Sequence, residues 1–468
     1  RPTRCASVPK TGERCRSKIR SEPSCMVSSP ITEHETLTAF EPTPNGPERE
    51  PGSTPTSSPP GRRRAEAIHD FSAKLRQPAL RPQVESYVSW QRALRAARKD
   101  GRPEPETPEL VPLSINLDLT TACNYRCDHC IDWEILNSKV RHADETLRRQ
   151  MAEMAARGMR SVILIGGGEP TLYPGFASFV AHLKSLGLQV AVVSNGSRND
   201  RILDAAEHLG PGDWVRLSLD AASDAVFRAM HKPTPASLGL DEICGYVQRI
   251  KAVNPSFQIG FSFVITWRGG TRDDVAVVEN IGEIEAAARR AAEAGFDYIS
   301  FKPFLERADT GSEIMDPSKI EGGMPDVLRR IRQGIDAARA YEGAAFSVRE
   351  STNLRMLMEN SWREYTRQPR TCHMQALRQV LSPHGTFNCP AYRGVSAARL
   401  GEADAYHDAA SVTSTSQSTS SLLDRFDASV NCRDVTCLYH ETNWWLEQRI
   451  EDGESLGPET EDRGDTFL

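Results

Sequence analysis

The sequence contains no stretch approaching the roughly 18 uninterrupted apolar residues of a membrane span, so a helical membrane protein and a membrane partner are excluded at the outset. It also lacks a basic excess. A formal net charge of −6 offers no broad field for a nucleic-acid backbone, and the expected partners are small molecules or a peptide. The N-terminus lacks the basic, apolar and small-residue order of a secretory signal, which makes the cytoplasm the expected location. There, eleven cysteines read as metal ligands or buried thiols rather than disulfides. What the chain does have is size: 468 residues, 39% hydrophobic and 26% charged, suffice for two or three packed domains.

Residues 1–65 are crowded with Pro, Ser, Thr, Glu and Arg without an apolar period, the composition of a disordered extension. The chain opens on Arg1 with a Met at Met26, and Cys5, Cys15 and Cys25 receive no role. Residues 66–112 read as a helical segment and a Pro-rich linker. From 113 to 305 strand and helix signals alternate: SINLDL, SVILI, LQVAVVS, WVRLSL, QIGFSFVIT and YISFKPF are separated by amphipathic stretches such as the one carrying Leu147, Met151 and Met154. Six strands with intervening helices imply an α/β fold, a parallel sheet curved into a partial (β/α)6 barrel. Residues 306–370 read as a helical connector, 371–445 as a small Cys-containing domain, and 446–468 as a C-terminal tail. Within the Cys-containing domain, Ser411–Ser421 is low-complexity and reads as a flexible insertion.

Just after the first strand, TTACNYRCDHC places Cys123, Cys127 and Cys130 in a C-x3-C-x2-C loop. With 11 cysteines in 468 residues, chance gives roughly 0.006 such spacings. A closed zinc site wants four ligands and no fourth is close in sequence, whereas three thiolates on a [4Fe–4S] cluster leave one iron open. After the second strand comes GGGEPTLYP, Gly166 to Pro174. Glycines allow backbone polar groups to approach a ligand directly, and Glu169 complements an ammonium group.

Together, in this strand order, the two motifs resemble the radical S-adenosylmethionine (radical SAM) superfamily over about residues 113–305. The resemblance implies an open-iron [4Fe–4S] cluster on Cys123, Cys127 and Cys130, with S-adenosyl-L-methionine chelating the free iron. It places Gly166, Gly167, Gly168, Glu169 and Pro170 against the methionine amino group. It also suggests cofactor contacts from Ser194 and Asn195 after the third strand, and ribose or carboxylate contacts from Arg216, Ser218 and Asp220. For these last three an internal polar network is the competing reading. His129 falls where the family has an aromatic residue near the adenine, which favours packing; Cys244 reads as a buried thiol.

Beyond the barrel, Cys372 and Cys389 bracket a hairpin signal, VLSPHGTFN, and Cys432 and Cys437 follow. This region resembles the twitch domain, a shortened relative of SPASM, and implies a second [4Fe–4S] cluster held by all four cysteines. Zinc satisfies the same four ligands. The implied chemistry is reductive cleavage of S-adenosylmethionine to a 5′-deoxyadenosyl radical that abstracts a substrate hydrogen. The expected outcome is oxidation, epimerisation or dehydration of a sugar- or cyclitol-like small molecule, with flavodoxin or ferredoxin as external electron donor. Radical modification of a ribosomally made peptide is the alternative. Of another class is a non-catalytic iron–sulfur or zinc protein with a structural or electron-relay role, against which GGGEP argues. Lys302 and Arg393 are candidate contacts for anionic substrate groups.

Overall fold

Short runs of aliphatic and β-branched residues become the strands of one sheet in the computed structural model of the chain, which describes residues 70–272, 275–308, 310–315, 317 and 323–468. These residues belong to one unit, Arg64–Leu468. The extension expected over residues 1–65, with its three cysteines, lies outside the described residues. The strands are β1 Ser114–Leu117, β2 Ser161–Leu164, β3 Gln189–Ser194, β4 Trp214–Ser218, β5 Gln258–Ile265, β6 Tyr298–Pro303, β7 Ser347–Glu350, β8 Arg378–Ser382, β9 Gly385–Phe387 and β10 Arg399–Gly401. Their spatial order is β7-β6-β5-β4-β3-β2-β1-β8-β9-β10. Pairing is parallel from β7 through β8 and antiparallel from β8 to β10.

Alternation along each strand divides the sheet into two faces. Ile115, Leu117, Val162, Leu164, Val215, Leu217, Phe261, Phe263, Ile299 and Phe301 join the main core with helix residues such as Leu147, Met151, Phe179 and Val247. The alternate residues form the interior face of a partial barrel, and many are polar: Asn116, Arg216, Ser218, Ser262, Ser300 and Lys302. The helices that cover the outer face include Asp144–Ala156, Phe176–Ser185, Leu240–Val253 and Ile284–Ala294. Cys244 is buried in this core, as expected.

The six expected strands are β1–β6, and the structure adds two parallel neighbours. β7 lies inside the segment read as a helical connector; SVRE has one apolar residue and no visible alternation, and it becomes a strand by pairing with β6 while Val348 enters the core. β8 is the first arm of the expected hairpin, but its other edge pairs in parallel with β1. The Cys-containing region is therefore continuous with the barrel sheet.

The flexible insertion expected at Ser411–Ser421 is instead the helix Ala409–Arg425, opened by a capping box between Asp408 and Ser411. Its small hydroxyl residues are buried and bonded: Thr415 Oγ1 donates to Ala405 O at 2.7 Å and Ser416 Oγ accepts from Leu110 N at 2.9 Å. Small side chains let the helix lie close to the sheet, which composition alone does not reveal. The segment read as a tail begins within the helix His440–Asp452, whose Glu447 receives both guanidinium arms of Arg95 at 3.0 and 2.8 Å. It ends with Phe467 buried against Ile163 and Ala191, its ring 5.5 Å from that of Trp214.

Candidate functional site

The loop after β1 is strapped to the end of the helix Asp224–His231: Arg126 N donates to His231 O at 3.0 Å and Asp128 N to Met230 O at 3.1 Å. Cys123, Cys127 and Cys130 are half-buried on it. Burial, above all, pushes their thiols up, Cys123 to about 11 and Cys130 to about 12; Cys127 rises as well, helped by the charges of Cys130 and Cys123. Three crowded, desolvated thiols are costly as anions until a cationic metal centre is present. Tyr125 N donates to Cys123 Sγ at 3.5 Å.

A residue without any sequence signal completes this loop. His231 Nδ1 lies 3.2 Å from Cys127 Sγ, while its Nε2 is 3.0 Å from the Leu219 carbonyl. A carbonyl only accepts, so Nε2 carries the proton and Nδ1 is free to accept from Cys127. His129 Nε2 bonds Asp220 at 3.0 Å, and its ring packs on His231 with centroids 5.0 Å apart. Among the described residues, three metal-ligating atoms come within 4.8 Å of one another in one place, at Cys127, His129 and His231.

The glycine loop lies directly on the cysteine loop. Gly166 and Gly167 have φ of +77° and +68°, which L side chains rarely adopt, and a Cβ at Gly168 would stand 2.3 Å from the Ala122 carbonyl oxygen. Glu169 N donates to that oxygen at 2.8 Å. The buried Glu169 carboxylate accepts from Thr171 N (3.0 Å), Ser194 Oγ (2.7 Å) and Asn195 N (2.6 Å). Burial raises its pKa while these donors pull the other way. Ser194 and Asn195 are thus brought to the motif, and Asn195 Nδ2 continues to Asn124 Oδ1 at 3.0 Å, back on the cysteine loop.

Arg216 and Ser218 stand on the interior face of β4, as alternation requires. Asp220, at φ +51°, is committed: besides His129 it accepts from Val264 N at 2.7 Å and has His231 Nε2 at 3.4 Å. Arg393 departs from its expected role. It is buried between Asp118 (3.2 Å) and Asp132 (2.7 Å), so it ties the Cys-containing region to the end of β1 and is not a free anion contact.

Residues 117–301 match the Radical SAM superfamily. The chain carries a radical SAM domain. Similar proteins include an S-adenosylmethionine-dependent nucleotide dehydratase of a Thermoplasmatales archaeon, 34% identical over 24% of this chain and 39% of that protein. The sporulation killing factor maturation protein SkfB of Bacillus subtilis is 34% identical over 24% of this chain and 27% of SkfB. The mycofactocin maturase MftC of Mycobacterium tuberculosis is 32% identical over 25% of this chain and 29% of MftC. The chain thus spans well under half of each of these three relatives. Among solved structures, SuiB of Streptococcus suis aligns over 64% of this chain and 66% of its own, with 15% identity and a TM-score of 0.46.

Outside the radical SAM domain, Cys372 precedes the helix Met374–Leu377, Cys389 follows β9, and Cys432 and Cys437 follow the helix Ala428–Asn431. All four line one cavity of about 110 Å³ with Tyr392, Phe426 and Val435. Burial and their mutual charge raise Cys432 and Cys437, and push Cys389 up to about 12. A tetrahedral zinc with bonds of about 2.3 Å would hold its sulfurs about 3.8 Å apart. Among the described residues these four sulfurs form no group of three within 4.8 Å of one another.

Proposed function

We propose that the chain is a radical enzyme acting on a sugar- or cyclitol-like small molecule, by oxidation, epimerisation or dehydration. The observation that carries the radical step is the contact of the two motif loops, Gly168 against Ala122 with Glu169 N bonded to Ala122 O, which sets a carboxylate-bearing loop on the loop that carries Cys123, Cys127 and Cys130. When bound, a reduced [4Fe–4S] cluster supplies one electron to S-adenosylmethionine, giving methionine and a 5′-deoxyadenosyl radical that takes a hydrogen atom from substrate.

The residues present fit those groups. Cys123, Cys127 and Cys130 supply three sulfur donors and leave one iron for the cofactor. His231 Nδ1, 3.2 Å from the Cys127 sulfur, accepts from its thiol until metal displaces that proton. Gly166 to Pro170 bring backbone groups to the methionine end, and the desolvated Glu169 charge favours an ammonium there. Ser194 and Asn195 hold Glu169 in place. Ser218 offers a hydroxyl to the ribose, and Asp220 orients His129 and His231. In the C-terminal region Cys372, Cys389, Cys432 and Cys437 would hold a second [4Fe–4S] cluster with no open iron, suited to electron transfer. An external donor of the flavodoxin or ferredoxin type, in the cytoplasm, completes the reading. No described helix is long and apolar enough to cross a membrane.

The peptide-modifying alternative draws its support from the two maturases among the similar proteins. The deciding test is anaerobic reconstitution with iron and sulfide, reduction by dithionite with S-adenosylmethionine, and assay of 5′-deoxyadenosine in the wild type and Cys127→Ala. Product lost in the variant is expected; none from a wild type shown to carry a reduced cluster refutes the radical reading.

A further inference from the structure

The interior of the barrel holds two basic side chains without an ion-pair partner among the described residues: Lys302, and Arg216, whose guanidinium carbon lies 5.1 Å from the Trp214 ring centroid. Register places Arg216, Gly260 and Tyr298 side by side on β4, β5 and β6, Ser218, Ser262 and Ser300 in the next layer, and Val264 beside Lys302 above them. Neighbours of these residues along each strand, Leu217, Phe261, Phe263 and Phe301, point to the helices, so this polar set faces inward. A Cβ at Gly260 would stand 2.1 Å from Tyr298 Cζ; glycine there lets the ring lie across β5 towards Arg216.

Among the described residues no carboxylate oxygen comes within 4.0 Å of Arg216 or Lys302, and Arg216 Nε is buried without a hydrogen-bond partner. The nearby carboxylate, Asp220, already serves two imidazoles and a backbone amide. Burial drives the Lys302 ammonium well below its usual range, and the Arg216 charge adds to that; Asp220 opposes them. Burial also lowers Arg216. With no anion present the interior favours the uncharged amine at Lys302, and an anion joining the two groups restores its charge. Three serine hydroxyls lie in the row between, and none has a side-chain hydrogen bond among the described residues.

We infer that Lys302 and Arg216 form an oxyanion subsite for a carboxylate or phosphoryl group of the substrate, with Ser262 and Ser300 as hydroxyl donors along the same face. This rests on the radical reading, and narrows its substrate to an acidic molecule. The competing occupant is the cofactor's own carboxylate, which shares the chemistry.

The test is thermal unfolding of the full chain with millimolar inorganic phosphate or malonate, against chloride at equal ionic strength. A tenfold excess over half-saturation raises the wild-type midpoint by about 2 °C. Lys302→Met abolishes that shift and keeps its S-adenosylmethionine affinity within about twofold. Lys302→Gln reads the same quantities should the Met variant not fold. An anion-insensitive wild type or an equal shift in the variant overturns the inference. So does loss of S-adenosylmethionine binding, which would give the cation to the cofactor. None of these readings requires reduction, so 5′-deoxyadenosine formation, scored separately, reports on the radical chemistry.

Discussion

Replacing Gly168 by alanine tests the contact on which the proposed function rests. The added Cβ would meet Ala122 O at 2.3 Å and the Thr121 carbonyl carbon at 2.7 Å, about 1 Å short of ordinary contact. Both are backbone atoms, so no rotamer change relieves the clash, and the loop bearing Cys123 must withdraw or the glycine loop must. Either movement breaks the 2.8 Å bond from Glu169 N to Ala122 O. Overpacking of this kind costs about 1–3 kcal/mol of stability. A displacement near 1 Å between reacting groups costs about 10²-fold in rate.

The assay is single-turnover formation of 5′-deoxyadenosine by reconstituted, reduced protein, with iron content and S-adenosylmethionine affinity measured on the same preparations. Gly245→Ala is the control: its Cβ meets nothing within 4 Å, and it lies inside the helix Leu240–Val253. That change should stabilise the helix by up to about 1 kcal/mol and leave the rate alone. Wild-type rate, affinity and iron content in Gly168→Ala would refute the argument that the two loops form one site.

Two other perturbations address the C-terminal region. Cys432→Ser removes one of four thiols around the shared cavity, so the iron bound after reconstitution should fall to about half while S-adenosylmethionine still binds; stoichiometric zinc in the isolated wild type would refute the cluster assignment. Arg393→Met leaves Asp118 buried without a cation and Asp132 with Arg307 alone at 3.6 Å, an expected loss of about 3–5 kcal/mol at pH 8. Burial holds Asp118 up at about 7 against its usual 3.8 even with Arg393 beside it; losing that cation raises it further, so in the variant it is protonated at pH 5.5 and carries an uncompensated charge at pH 8. Denaturant unfolding should therefore show a smaller deficit for the variant at pH 5.5 than at pH 8, and a larger deficit at pH 5.5 would sink the argument.

Much of the radical SAM domain was legible because its signals are local. Apolar periodicity gave β1–β6, and two short motifs gave loops that the structure brings into contact through Gly168 and Glu169. What escaped depends on partners far along the chain. His231 lies 104 residues from Cys127 and sits in MHK, a stretch that resembles no ligand motif. The strand β7 has one apolar residue and is made by its pairing with β6. The helix Ala409–Arg425 reads as low complexity because its buried face is built of Thr and Ser, whose hydroxyls are satisfied by contacts invisible in composition.

Lys302 and Arg393 show why charge in a sequence is a weak guide to function until its partners are known. Both end up inside the protein near the carboxyl ends of strands, and the sequence offers the same reading for each. Arg393 lies between Asp118 and Asp132, so its charge is spent on joining two parts of the fold. Lys302 has no carboxylate within 4.0 Å among the described residues and faces Arg216. A buried cation that is paired keeps its charge and joins parts of the fold, whereas a lysine left unpaired in a desolvated site gives up its proton until an anion joins it. The same reasoning that removes Arg393 from the candidate anion contacts leaves Lys302 among them.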